Sequence, residues 1–121
     1  MDKPDANLLL QPLKAFQRRT VDYVFRRLYR EGVKRFLVAD EVGLGKTLVA
    51  RGVIGLAIDE LWPRLEELKR IDIVYICSNG DIARQNINRL NVFNGENGDS
   101  NHLAFATRLT MLPLHLNKLD E

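Results

Sequence analysis

Two short runs of β-favouring residues, separated by a long apolar helical pattern, constrain the fold of this chain more than any other feature. The runs are residues 35–39 and residues 71–77, and each has the composition of a buried strand. Between them, Lys46–Leu61 has the length and apolar content of a well-covered helix, which Pro63 ends. Two strands joined by a crossover helix form a parallel pair. The sequence therefore predicts an α/β fold with parallel strands and crossover helices.

An amphipathic helix is predicted before the first strand, and a mixed pattern follows the second. Residues 13–29 carry an apolar stripe at helical spacing, formed by Val21, Val24, Phe25 and Leu28. The later segments are predicted to be, in chain order, a polar connector with one or two helical turns (65–70), a helix (79–90), a loop (91–102) and a third strand (108–112).

Charge and cysteine content limit the classes of function. Lysine and arginine number 18 against 16 aspartate and glutamate, so the net charge of +2 excludes a dedicated polybasic nucleic-acid arm. The single cysteine, Cys77, forms neither an internal disulfide nor a metal cluster. The apolar runs are too short to span a bilayer, and the start of the chain lacks the pattern of a signal peptide. We therefore expect a cytoplasmic protein with no membrane partner.

The stretch that carries chemistry is the glycine-containing loop between the first predicted strand and the apolar helix. Gly43 and Gly45 allow backbone N–H groups to turn inward around an anion, and the positive end of the following helix points to the same place. Lys46 would reach the β- and γ-phosphates of a triphosphate, and the Thr47 hydroxyl would bind Mg²⁺. This context is the one that a Walker A loop requires.

Two other interpretations of this loop are weaker. A chance glycine loop leaves Lys46 in the first turn of a helix, where its charge opposes the macrodipole unless an anion lies there. A dinucleotide-binding fingerprint needs a third glycine, and Leu48 stands at that position. The sequence therefore predicts triphosphate binding, with ATP and Mg²⁺ as the cofactors.

One departure from the general Walker A pattern indicates a family, because Asp40 stands where that pattern has its first glycine. The stretch Asp-Glu-x-Gly-Leu-Gly-Lys-Thr resembles the phosphate loop of superfamily-two (DEAD/DEAH-like) helicases, specifically the chromatin-remodelling translocases and their bacterial RapA-like relatives. The resemblance implies a RecA-like P-loop fold, with Lys46 as the catalytic lysine and Thr47 as the Mg²⁺ ligand. It places these residues around the nucleotide: Gln17, Glu41, Val42, Gly43, Leu44, Gly45, Lys46, Thr47 and Leu48.

Two further segments are similar to motifs of the same family. Leu-Lys-Ala-Phe-Gln, ending at Gln17, looks like the leucine-x-x-aromatic-glutamine segment whose glutamine binds adenine, and an amide can pair with the N6/N7 edge of that base. Residues 74–80 look like motif Ia, in which a strand-to-helix turn, here Ser78, Asn79 and Gly80, touches the nucleic-acid backbone. Ser78 and Asp81 also form a capping-box pattern. Both interpretations of this turn stay open, since a capped helix N-terminus also receives phosphates.

The resemblance covers only part of a helicase or translocase ATPase. It implies a helical segment over residues 1–34 and an incomplete first half of a RecA-like ATP-binding domain over residues 35–121. The acidic motif that orients Mg²⁺ and water is not found, and neither is the C-terminal RecA-like domain that supplies an arginine finger. We therefore expect marginal folding in isolation and little ATP hydrolysis by this stretch alone.

Three hypotheses for function follow. The first is the ATP-binding N-terminal segment of a helicase or translocase ATPase, whose implied partner is nucleic acid, with DNA favoured over RNA. The second is a stand-alone nucleotide-binding module. The third is a truncated gene product without catalytic activity.

Overall fold

The computed structural model describes residues 3–39 and 43–92, and 62% of these residues are helical. They divide into two compact units, which meet in the sequence after Ile71. The first unit contains α1 (Ala6–Leu10), α2 (Ala15–Tyr29), α3 (Lys46–Leu61), a 3₁₀ turn (Trp62–Arg64) and α4 (Leu65–Leu68). The second unit contains α5 (Gly80–Leu90). No helix in these ranges combines the length and the apolar character needed to cross a bilayer.

The predicted helices are confirmed with small shifts at their ends. The helix predicted over residues 13–29 is α2, the apolar helix is α3 with the predicted bounds, and the helix predicted over 79–90 is α5. The polar connector contains the single turn α4. Helix α1 is not predicted by the sequence, because five residues are too few to show a hydrophobic period. It starts at Asp5, whose carboxylate accepts hydrogen bonds from the Asn7 and Leu8 backbone N–H groups at 2.9 and 3.4 Å.

The core of the first unit lies where α1 and α2 pack on α3. Its buried members are Leu10, Val21 and Val49, one from each helix. Two glycines of α3 allow this close packing: a Cβ on Gly52 would lie 2.9 Å from Val21 Cγ2, and a Cβ on Gly55 would lie 2.7 Å from the Leu9 side chain. The burial of these side chains fixes the position of α3 against α2, and with it the position of the loop before α3.

Ion pairs join the outer ends of the same helices. Arg30, which ends α2, donates two hydrogen bonds to the Glu60 carboxylate on α3, at 2.7 and 2.8 Å. This hydrogen bonding lowers the pKa of Glu60 and raises that of Arg30. Lys3 pairs with Asp59 near the same end of α3. Both pairs are open to solvent, so they contribute less to stability than the buried core.

The predicted α/β fold with parallel strands and crossover helices, the partial RecA-like P-loop fold, is wrong. The structure contains no strand in residues 3–39 and 43–92. Residues 35–39 and 71–77 belong to neither helix nor strand, and Leu37 and Ile76 are 83% and 88% exposed. A strand needs both a neighbour for its backbone hydrogen bonds and a buried face for its alternate side chains. The β-favouring composition of these runs supplies neither. The third predicted strand, residues 108–112, lies outside the described residues.

One face of α3 borders a groove in the described part of the first unit. A groove of about 520 Å³ runs between α2, α3 and the segment 34–38. Its lining consists of apolar side chains together with Lys34 and Lys46. The Phe36 ring borders it and packs edge-on against Tyr23, with ring centroids 5.7 Å apart. The sequence predicts that α3 is covered on most sides, whereas in the described residues of the first unit α1 and α2 cover only part of it.

Candidate phosphate-binding loop

The loop that precedes α3 adopts a conformation that depends on glycine. Gly43 has φ +90°, and Gly45, the N-cap of α3, has φ +78° and ψ +39°. These angles lie in the left-handed region, which non-glycine residues enter at a cost of about 1–2 kcal/mol. Two left-handed residues around Leu44 turn the chain sharply into the helix. The glycines predicted from the motif are therefore the residues that the local backbone requires.

The N-terminus of α3 differs from those of α1, α2 and α5. Asp5 caps α1, the Gln17 side chain accepts from the backbone at the start of α2, and Asn79 caps α5. Among the described residues, no side chain caps α3, and its first turn contains no acidic residue. The first N–H groups of a helix carry partial positive charge, and an anion satisfies them. This helix start therefore has the electrostatic character of an anion site.

The Gln17 side chain connects α2 to this loop through a hydrogen bond. Its side chain is buried, with 6% of the residue exposed. Nε2 donates a hydrogen bond to the Leu44 carbonyl oxygen at 3.0 Å, and Oε1 accepts one from the Lys14 backbone N–H at 2.9 Å. The contact with Leu44 joins residues 27 positions apart in the sequence. A Cβ on Gly45 would collide with the same amide nitrogen, whereas a Cβ on Gly43 would meet open space.

The residues after Gly45 form the first turn of α3. Lys46 is exposed at the helix start and is one of the residues that line the groove, while Thr47 is half-buried. Leu48 is exposed. Glu41 and Val42, which the family motif also places around the nucleotide, lie outside the described residues. The structure thus brings Gln17 together with the glycine loop, Lys46, Thr47 and Leu48.

The predicted nucleic-acid contact, Ser78, Asn79 and Gly80, belongs to the second unit. The N-cap of α5 is Asn79 and not the Ser78 that the capping-box pattern predicts, because Asn79 Oδ1 accepts from the Asp81 and Ile82 backbone N–H groups at 3.0 and 3.2 Å. Asparagine and serine cap helices about equally well, so neighbouring candidates cannot be separated by residue type. All three residues are exposed.

The sequence does not predict the hydrogen bond between Gln17 and Leu44. The available signal is local: Gln17 is the third residue of α2, a position from which glutamine often bonds to the backbone at the helix start. That pattern accounts for the bond with Lys14 but not for the one with Leu44, which depends on tertiary packing.

Within the ranges that the structure describes, no three His, Cys, Asp or Glu side chains come together to hold a metal ion. The oxygen that the motif offers to Mg²⁺ is the Thr47 hydroxyl. Mg²⁺ is commonly held by few protein ligands together with water and phosphate oxygens, so this donor fits a nucleotide-bound ion. No protein-family model, curated protein or solved structure matches the chain.

Proposed function

We propose that this chain binds the triphosphate of ATP, with Mg²⁺, through the phosphate loop, which we define as residues 43–47. The observation that carries the proposal is the start of α3: two glycines with positive φ, Gly43 and Gly45, lead into a helix that no side chain of the described residues caps, with Lys46 in its first turn. The positive end of a helix attracts an anion, and a lysine in the same turn adds a second positive charge to that attraction. Motif and local geometry thus support the same ligand.

Each residue of the loop has a role in this proposal. Backbone N–H groups from Gly43 to Leu48 surround the phosphates, and the freedom of the glycines lets these groups converge. Lys46 neutralises the β- and γ-phosphates, and Thr47 contributes an oxygen to Mg²⁺. The motif resemblance also places Glu41 and Val42, which precede the phosphate loop, beside the nucleotide.

The wider role that we propose is the ATP-binding part of a nucleic-acid-dependent helicase or translocase in the cytoplasm. The motif resemblance supports it, and Ser78, Asn79 and Gly80 are the residues proposed to contact the nucleic-acid backbone, with DNA favoured over RNA. The phosphate loop would bind the phosphates and neutralise their charge, but hydrolysis also needs a group that orients the attacking water. We therefore expect binding of ATP without appreciable turnover by these 121 residues, whether or not DNA is present.

Calorimetric titration of the 121-residue chain with ATP and Mg²⁺ tests the binding proposal. Lys46→Ala should weaken ATP binding by about 10- to 100-fold, because it removes a charge-assisted contact with the phosphates. Lys3→Ala is the matched control: it removes the same charge from the other end of α3, where Lys3 pairs with Asp59. Equal affinity in wild type and Lys46→Ala, or equal losses in both variants, would contradict binding at this loop.

A further inference from the structure

We infer that Gln17 is a positioning residue that holds the phosphate loop through the Leu44 carbonyl, and that it does not read the nucleotide base. The affinity part of this inference rests on the proposed function. Its geometric part rests on the contacts of the Gln17 amide alone.

The oxygen and the nitrogen of the Gln17 side-chain amide each already form a hydrogen bond with the protein. Oε1 accepts from the Lys14 backbone N–H, and Nε2 donates to the Leu44 carbonyl. To read adenine, an amide presents its oxygen and its nitrogen together to the N6/N7 edge of the base. One lone pair and one N–H of Gln17 remain, and only 6% of the residue is exposed, so little of the amide is open to a base.

The same contacts give Gln17 a direct effect on the loop. Leu44 lies between Gly43 and Gly45, the two residues with the greatest backbone freedom. Its carbonyl is anchored to the buried amide, and the amide is fixed in turn by the start of α2. The absence of a Cβ at Gly45 is what lets the amide approach. Gln17 thus reduces the number of conformations that the free loop samples, which lowers the ordering cost when an anion binds.

A positioning role and a base-reading role predict different affinities for ligands that share only the phosphates. Loss of one hydrogen bond that orders the loop should weaken ATP, GTP and inorganic tripolyphosphate by the same factor, about fivefold. A base-reading glutamine would affect ATP alone. We therefore propose calorimetric titrations of wild type and Gln17→Ala with these three probes in the presence of Mg²⁺.

A ligand-free measurement accompanies the titrations, so that this inference is tested even if no anion binds. Backbone ¹⁵N order parameters of Gly43 and Gly45 should fall in Gln17→Ala from about 0.85 toward 0.6. Gln11→Ala removes an exposed glutamine, and Thr20→Ala removes a hydrogen bond from Thr20 Oγ1 to the Phe16 carbonyl in α2. Neither control should change the order parameters or the affinities.

The outcomes separate the two proposals. Equal losses for all three probes, with lower order parameters, support the positioning role. A loss confined to ATP, or unchanged order parameters at Gly43 and Gly45, would overturn it. If wild type binds none of the probes while the order parameters still fall, the proposed function fails and the positioning of the loop by Gln17 stands.

Discussion

Alanine at Gly45 should destabilise the chain more than alanine at Gly43, because the two glycines share a left-handed conformation but differ in their surroundings. At Gly43 the new Cβ meets open space, so only backbone strain counts. That strain costs about 1–2 kcal/mol, and the reduced entropy of the unfolded chain returns about 0.4–1 kcal/mol. The expected loss in the free energy of unfolding for Gly43→Ala is therefore about 1 kcal/mol.

At Gly45 the new Cβ also collides with Gln17 Nε2. The amide must move, and its hydrogen bond with the Leu44 carbonyl, 3.0 Å long, is lost. A typical hydrogen bond contributes about 1 kcal/mol, so we expect Gly45→Ala to lower the free energy of unfolding by about 2 kcal/mol. Urea unfolding followed by far-UV circular dichroism measures both variants on the same scale.

A double-mutant cycle isolates the contact between the loop and α2. In a Gln17→Ala background the Cβ at position 45 no longer meets the amide, so Gly45→Ala should cost only about 1 kcal/mol there, a coupling of about 1 kcal/mol. Gly43→Ala should show no coupling with Gln17→Ala. Equal losses at the two glycines in wild type, or a Gly45→Ala cost that does not change when Gln17 is removed, would refute this account of the loop.

Four further predictions concern the packing of α3, the exposed side chains of residues 35–39 and 71–77, and the dependence of stability on pH. Gly52→Ala should lower the free energy of unfolding by about 1–2 kcal/mol in urea titration, because its Cβ meets a buried β-branched side chain on α2. Gly55→Ala should be neutral or stabilising by up to about 1 kcal/mol, since its neighbour is the end of a flexible leucine and alanine favours a helix. Leu37→Lys and Ile76→Lys should each change the free energy of unfolding by less than about 0.5 kcal/mol, because both side chains are exposed. Both variants should also reduce self-association, measured by light scattering. A large loss in the free energy of unfolding would show that these side chains are buried. The lowered pKa of Glu60 means that its contribution to stability is present above the ordinary carboxyl pKa and is lost as pH falls through the folded value. The melting temperatures of wild type and Glu60→Gln should therefore differ slightly at neutral pH and converge in acid. A difference that does not change with pH would contradict the lowered pKa of Glu60.

The helices could be predicted because their signals are local. Gly45 and Pro63 bracket α3 in the sequence, and the apolar stripe of α2 has a clear helical period. The absence of strands from the described residues could not be predicted, because residues 35–39 and 71–77 have β-favouring side chains and composition does not reveal whether a strand has a pairing partner. The same distinction holds at the site. The left-handed glycines follow from the motif, whereas the bond between Gln17 and Leu44 depends on how α2 packs against α3.

The most direct test of the central claim is to follow the loop itself while nucleotide is added. In a ¹⁵N-labelled 121-residue chain, titration with ATP and Mg²⁺ should shift the amide resonances of Gly43, Gly45 and Thr47 more than those elsewhere in the chain. The same titration of Lys46→Ala should produce much smaller shifts of these resonances at matched ATP concentrations, because the variant binds ATP more weakly. Absence of shifts at the loop in wild type, or shifts that persist unchanged in Lys46→Ala, would contradict triphosphate binding by this loop.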